Sequence, residues 1–221
     1  MRMRLFNALL ATAVVAALPA APAGAQSPLE AAGDHHSNAD YVARLVALNA
    51  NVTGQRAVGE ARFRISGDSL TVSIRMRDVP TDVMHLQHFH GFADGRQSTC
   101  PTRAADGNGD GIIDLMETEP TAGTTMVPFH DDPVSMEIVK DTYPRASSGG
   151  SYHYSKTVSL SALQAAFGGK FSDHQLALDR RVVIIHGVRP ATELAASVAS
   201  LGDIPAQVTL PIACGAIERV K

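Results

Sequence analysis

An all-β fold, a sandwich or barrel of short strands, is what the sequence predicts, and three observations predict it. Apolar and polar residues alternate with a period of two in successive short runs. Turn residues punctuate those runs, with 18 glycines and 12 prolines in 221 residues. Helical character is confined to one short segment, Ser161 to Phe167, with Ser161 as its cap.

Residues 1–25 stand apart from this domain. Arg2 and Arg4 precede an apolar run from Leu9 to Leu18, and Ala23-Gly24-Ala25 supplies a small-x-small cleavage site before Gln26. The run is short for a bilayer span, so it reads as a secretory signal peptide of bacterial type, with a periplasmic or extracellular destination. Its removal takes the net charge from −3 to −5. Residues 26–40 are small and polar and read as a flexible lead-in, with His35-His36 on a solvated tail. The β-domain then occupies residues 41–221.

Within it, Ala61, Phe63 and Ile65 alternate with charged residues, and Leu70, Val72, Ile74 and Met76 alternate again after Ser66-Gly67-Asp68. Two such runs about a Gly-Asp turn predict a hairpin. Pro80 closes its second strand, and an extended run follows from Met84 to Phe92. A Gly/Asp/Thr/Pro-rich stretch to about Asp132 is too long for a simple connection and is expected to carry function. Strands resume over Tyr152–Leu160, in the apolar run Val182-Val183-Ile184-Ile185, and over Val208–Ile217.

Composition narrows the function. Hydrophobic residues at 45% and charged residues at 19% are those of a globular chain. A net charge of −3 without a Lys/Arg cluster argues against nucleic acid as a partner. Aromatics at 5%, with no tryptophan, argue against a stacking platform. There is no Ser-His-Asp order signal, phosphate loop or paired-carboxylate motif. Cys100 and Cys214 are the two cysteines, and in an oxidising compartment an even pair reads as a disulfide.

Two constellations carry chemistry. In Met84-His85-Leu86-Gln87-His88-Phe89-His90-Gly91, His88 and His90 lie two apart and share one face of a strand, with Phe89 on the other. With His186, at the end of the apolar run, they make a three-imidazole site for copper or zinc. His85 has the opposite parity and reads as structural. His130, in Pro128-Phe129-His130-Asp131-Asp132, and His153 are rival fourth ligands, and His174 beside Asp173 reads as a surface residue. The second constellation is Asp106-Gly107-Asn108-Gly109-Asp110-Gly111-Ile112-Ile113-Asp114-Leu115-Met116-Glu117, which fits the twelve-residue calcium loop. Asp106, Asn108, Asp110, the Ile112 carbonyl, Asp114 and Glu117 are its ligands, and Gly111 permits the turn. Pro101 and Pro120 on either side argue against flanking helices. Such a loop in a calcium-rich exterior would be structural.

Four segments, in order, resemble the copper/zinc superoxide dismutase superfamily: His85-x-x-His88-Phe89-His90, Cys100, Arg181-Val182-Val183-Ile184-Ile185-His186-Gly187, and Leu210-Pro211-Ile212-Ala213-Cys214-Gly215-Ala216-Ile217. The likeness covers about residues 42–218. It implies a Greek-key β-sandwich, copper on His88, His90 and His186, a Cys100–Cys214 bridge, superoxide as substrate, and His130 as the fourth copper ligand and proton donor. Two departures accompany it. The family's zinc set is not found, and the calcium loop stands in its place. Pro211 occupies the position of the family's anion-steering arginine, for which Arg96, Arg103 or Arg189 are the candidate substitutes. The rival expectation is a non-enzymatic periplasmic metal-binding or calcium-stabilised β-domain, a degenerate dismutase or a chordin-like domain; the chordin-like form predicts no convergence with His186.

Overall fold

The computed structural model describes residues 38–172 and 175–220. The expected signal peptide 1–25, His35-His36 and the Asp173–His174 pair lie outside the described residues. The strands are β1 (Ala39–Ala47), β2 (Val58–Ser66), β3 (Ser69–Arg77), β4 (Gln87–Gly91), β5 (Thr124–Pro128), β6 (Ser151–Ser159), β7 (Val182–His186) and β8 (Pro211–Arg219). Short helices α1 (Ala50–Thr53), α2 (Leu115–Ala122), α3 (Leu160–Lys170) and α4 (Ala206–Thr209) lie between them. The strands pair antiparallel into one sheet, in the order β5-β4-β7-β8-β1-β2-β3-β6. The sheet curls into a half-barrel. Its two ends approach where the Tyr154 hydroxyl of β6 donates to the carbonyl of His130, just beyond β5, at 2.8 Å.

The β2–β3 hairpin forms as its alternation predicts. Ser66 pairs with Ser69 around a two-residue turn, and Gly67 takes the positive φ of 54° that such a turn needs. Ala61, Phe63, Leu70, Val72, Ile74 and Met76 point inward from it. Phe89 meets Phe129 and Phe167 in that interior, with ring centroids 5.7 and 6.3 Å apart.

Several boundaries differ from the expected ones. β1 begins at Ala39, inside the expected lead-in, because Ala39 pairs with Ile65. The strand expected from Met84 begins only at Gln87, since the His85 N–H donates instead to the carbonyl of Pro144. α3 is capped by Ser159 rather than Ser161, its side chain accepting from the Ala162 N–H. β8 starts at Pro211, the residues before it making the single helical turn α4. β5 was not expected; as an edge strand it tolerates Pro128. α2 overturns the expectation that no helix flanks the acidic loop. Asp114 and Glu117 form a reciprocal capping box at its start, which outweighs the donor lost at Pro120.

At β4 and β7 the sheet is buried on both faces. Val183 and Ile185 join the main core, while Val182 and Ile184 turn outward to Cys214, Leu48 and Ala122 beneath the long 92–123 segment. Cys100 and Cys214 are bonded, which ties that segment to β8. Arg181 ties it again. Fully buried, its guanidinium donates to the carbonyls of Leu176, Phe92 and Gln175. It also crowds Gly91, where a Cβ would lie 2.4 Å from Nη1. Arg181→Met would keep the bulk and strip the carbonyls of Leu176, Phe92 and Gln175 of their donor, the first of them buried. A loss of about 3–5 kcal/mol is expected in urea unfolding; a loss below about 1 kcal/mol would show that water replaces the guanidinium.

Candidate metal centre

The strand period places the three histidines. His88 and His90 of β4 share the outer face of the sheet, opposite Phe89. In the β4–β7 register His88 faces Ile184 and His90 faces Val182, so His186, two residues on from Ile184, shares their face and lies diagonal to His88. The ring centroids of His186 lie 5.2 Å from His88 and 5.6 Å from His90. One ligand nitrogen from each of the three residues lies within 4.8 Å of the others. Each imidazole is at most 2% exposed.

Neighbouring groups fix which nitrogens are free. His186 Nδ1 sits 2.8 Å from the carbonyl of Thr209. A carbonyl only accepts, so Nδ1 carries the hydrogen and Nε2 presents a lone pair. Buried Nε2 has no hydrogen-bond partner. His90 Nδ1 lies 3.2 Å from the carbonyl of Gly123, leaving its Nε2 lone pair to accept from Thr125 Oγ1 at 3.3 Å. Both nitrogens of His88 are buried and unpartnered. Unpaired buried nitrogens are costly unless something binds them, and neutral imidazoles are good ligands. An all-imidazole set with carbonyls orienting the rings fits copper or zinc.

Burial keeps the trio neutral. Desolvation first, then the neighbouring imidazoles, holds His88 well below the usual histidine range. Desolvation and His186 bring His90 down to about 3, and desolvation brings His186 down to about 4. Unfolded, these groups take up protons near their ordinary 6.5. Between that value and about 4 the unfolded chain therefore holds protons the native one lacks, so stability falls as pH falls. With each pKa unit worth ~1.4 kcal/mol, the metal-free protein is expected to lose several kcal/mol between about pH 7 and 4. Thermal melts across that range check this; a flat profile contradicts it.

His130, expected as the fourth ligand and proton donor, stands outside the converging trio. Its Nε2 donates to the carbonyl of Glu137 at 2.7 Å, and its Nδ1 accepts the N–H of Asp132 at 3.0 Å. Both of its nitrogens are thus engaged by backbone groups. The Tyr143 ring packs edge-on against both His88 and His130, with centroids 5.5 and 5.0 Å away. The other rival, His153, is exposed on β6 beside Ser73. His85 is structural as expected, its nitrogens facing the carbonyls of His186 and Pro80. Of the candidate steering arginines, Arg96 lies over Phe92, Arg189 is held by Thr81, and Arg103 lies in a single turn upstream of the acidic loop.

The acidic loop folds on its own backbone. Asp106 accepts from Gly109 and Gly111, Asn108 from Asp110, and Asp110 from Ile112. Glu117 accepts from Gly107 and Asn108 through Oε1 and from Asp114 through Oε2. Gly111 has φ 85°, the sharp turn expected of it. Asp114 Oδ2 accepts from Ala199, and Asp110 Oδ2 from Ser197, so the loop is also fastened to the 197–199 segment. Among the described residues, the imidazole trio is the group of His, Cys, Asp or Glu whose ligand atoms converge within 4.8 Å.

Sequence reasoning missed the backbone acceptors, Thr209 and Gly123, and the Tyr143 wall. Carbonyls leave no trace in residue identity. No helix among the described residues is long and apolar enough to cross a membrane. No family model matches the chain, and no curated protein matches it significantly.

Proposed function

We propose that the chain is a secreted, copper-dependent superoxide dismutase-like protein of Greek-key β-sandwich type, with a calcium ion ordering the 106–117 loop. The observation that carries the reading is the meeting of three neutral, buried imidazoles, His88, His90 and His186, with unpartnered nitrogens on His88 and His186. Copper bound there would supply one-electron exchange, taking an electron from one superoxide and giving it to a second. The chain's own part is to hold the rings. The carbonyls of Thr209 and Gly123 fix two tautomers, and burial keeps protons off the ligand nitrogens. Secretion agrees with the Cys100–Cys214 bond.

A second reading, a copper-holding domain without dismutase activity, is favoured by two observations. Pro211 stands where the resemblance implies an arginine, and His130 has both nitrogens engaged. The chordin-like form loses its support, because it requires His186 to lie apart from the pair. Superoxide decay with copper-loaded protein separates the readings. A rate well above that of the same concentration of free copper is expected for the enzyme; a rate at or below it leaves copper binding alone.

For the loop, calcium is expected to raise the thermal midpoint of the wild-type chain and to leave that of Glu117→Gln unchanged. An identical wild-type midpoint with and without chelator removes calcium from the proposal.

A further inference from the structure

We infer that Asn49 is a positioning residue for the His88/His90/His186 centre, the pin through which the 106–117 loop holds His186 in place; the inference rests on the metal-centre reading above. Asn49 is 8% exposed and sits in a left-handed conformation at φ 53°. Its amide is fully used. Nδ2 donates to the carbonyls of Ile113, at 2.8 Å, and Pro211, at 2.9 Å. Oδ1 accepts the N–H of Ile113 at 2.9 Å. One side chain thus clamps the eighth position of the loop to the first residue of β8.

That end of β8 is what cradles His186. Pro211 is its register partner across β7–β8, at a local irregularity in the pairing. Two residues before Pro211, the carbonyl of Thr209 takes the hydrogen of His186 Nδ1 at 2.8 Å. Between them, the carbonyl of Leu210 accepts from the N–H of Gly187 at 3.0 Å. Proline has no N–H, so residue 211 offers only its carbonyl as a handle, and Asn49 takes it. The loop reaches His90 as well. Asp114 and Glu117 start α2, α2 ends at Gly123, and the Gly123 carbonyl takes the hydrogen of His90 Nδ1. The loop therefore borders both carbonyl-oriented imidazoles, and Asn49 is its buried link to the His186 side. Groups that orient ligands without touching the metal commonly change affinity 10–100-fold when removed.

The test uses the full chain loaded with copper(II). Asn49→Gly keeps the left-handed backbone and removes the amide; Asn49→Asp keeps the shape but faces two carbonyls with a carboxylate. Asn51→Ala is the control, since Asn51 ties the same turn to the carbonyl of Gly111 without reaching Pro211. Copper affinity by competition titration and the copper(II) paramagnetic resonance spectrum are read beside the unfolding midpoint of the metal-free protein. Both Asn49 variants are expected to weaken copper about tenfold and to alter the hyperfine splitting, with Asn51→Ala doing neither. A folded Asn49 variant with a shifted midpoint but wild-type affinity and spectrum overturns the inference, because Asn49 would then be only structural. Should the glycine variant fail to fold, the aspartate variant decides alone. If wild-type protein takes up no copper at the trio, the metal-centre reading fails and the inference falls with it.

Discussion

Replacing His186 by alanine is expected to cut copper affinity by at least about a hundredfold, beyond the loss typical of groups that only support a ligand. The substitution removes one of three lone pairs that lie within 4.8 Å of one another. It also leaves the buried carbonyl of Thr209 without its donor. His88→Ala is expected to match it, because His88 is the member of the trio with neither nitrogen engaged elsewhere. His153→Ala should leave retention unchanged, its imidazole lying on the exposed face of β6. Copper analysis after gel filtration checks all three. Retention by His186→Ala at the wild-type level would place the metal elsewhere.

The second large effect concerns the bridge. Cys100 and Cys214 are separated by 114 positions, and in the chain-entropy view a closure of that length contributes about 4–5 kcal/mol. It joins the start of the covering segment to β8, whose Cys214 packs with Val182 and Ile184 on the outer face of the sheet. The Cys100→Ala/Cys214→Ala protein is expected to unfold at much lower urea, with a stability loss of that size. Copper retention should fall too, as the same segment ends at Gly123, whose carbonyl orients His90. Unfolding within about 1 kcal/mol of wild type would mean that Arg181 and the core hold the segment unaided.

Much of this architecture is readable from residue order. Alternation about Gly67-Asp68 marks the β2–β3 hairpin because that sheet has one buried face. The spacing of His88 and His90 fixes a common face, and the run ending at His186 marks a strand buried on both sides. Other features hide for physical reasons. β5 is a short edge strand of threonines and a proline, with no alternation to detect. α2 contains Pro120, and the capping box that rescues it is also the pattern of a cation loop. His130 has the composition of a ligand, yet the carbonyl of Glu137 and the N–H of Asp132 claim both nitrogens. Such backbone partners are set by the tertiary fold and are silent in side-chain identity. Asn49 is likewise an ordinary asparagine until its two distant partners, Ile113 and Pro211, are seen together.

X-ray absorption at the copper edge, on the full chain titrated with one equivalent of copper, addresses the shared site most directly. Three imidazole nitrogens about the metal in the wild-type protein, reduced in number in His186→Ala, are the expected result. A coordination shell unchanged by that substitution would contradict a single ion held by His88, His90 and His186.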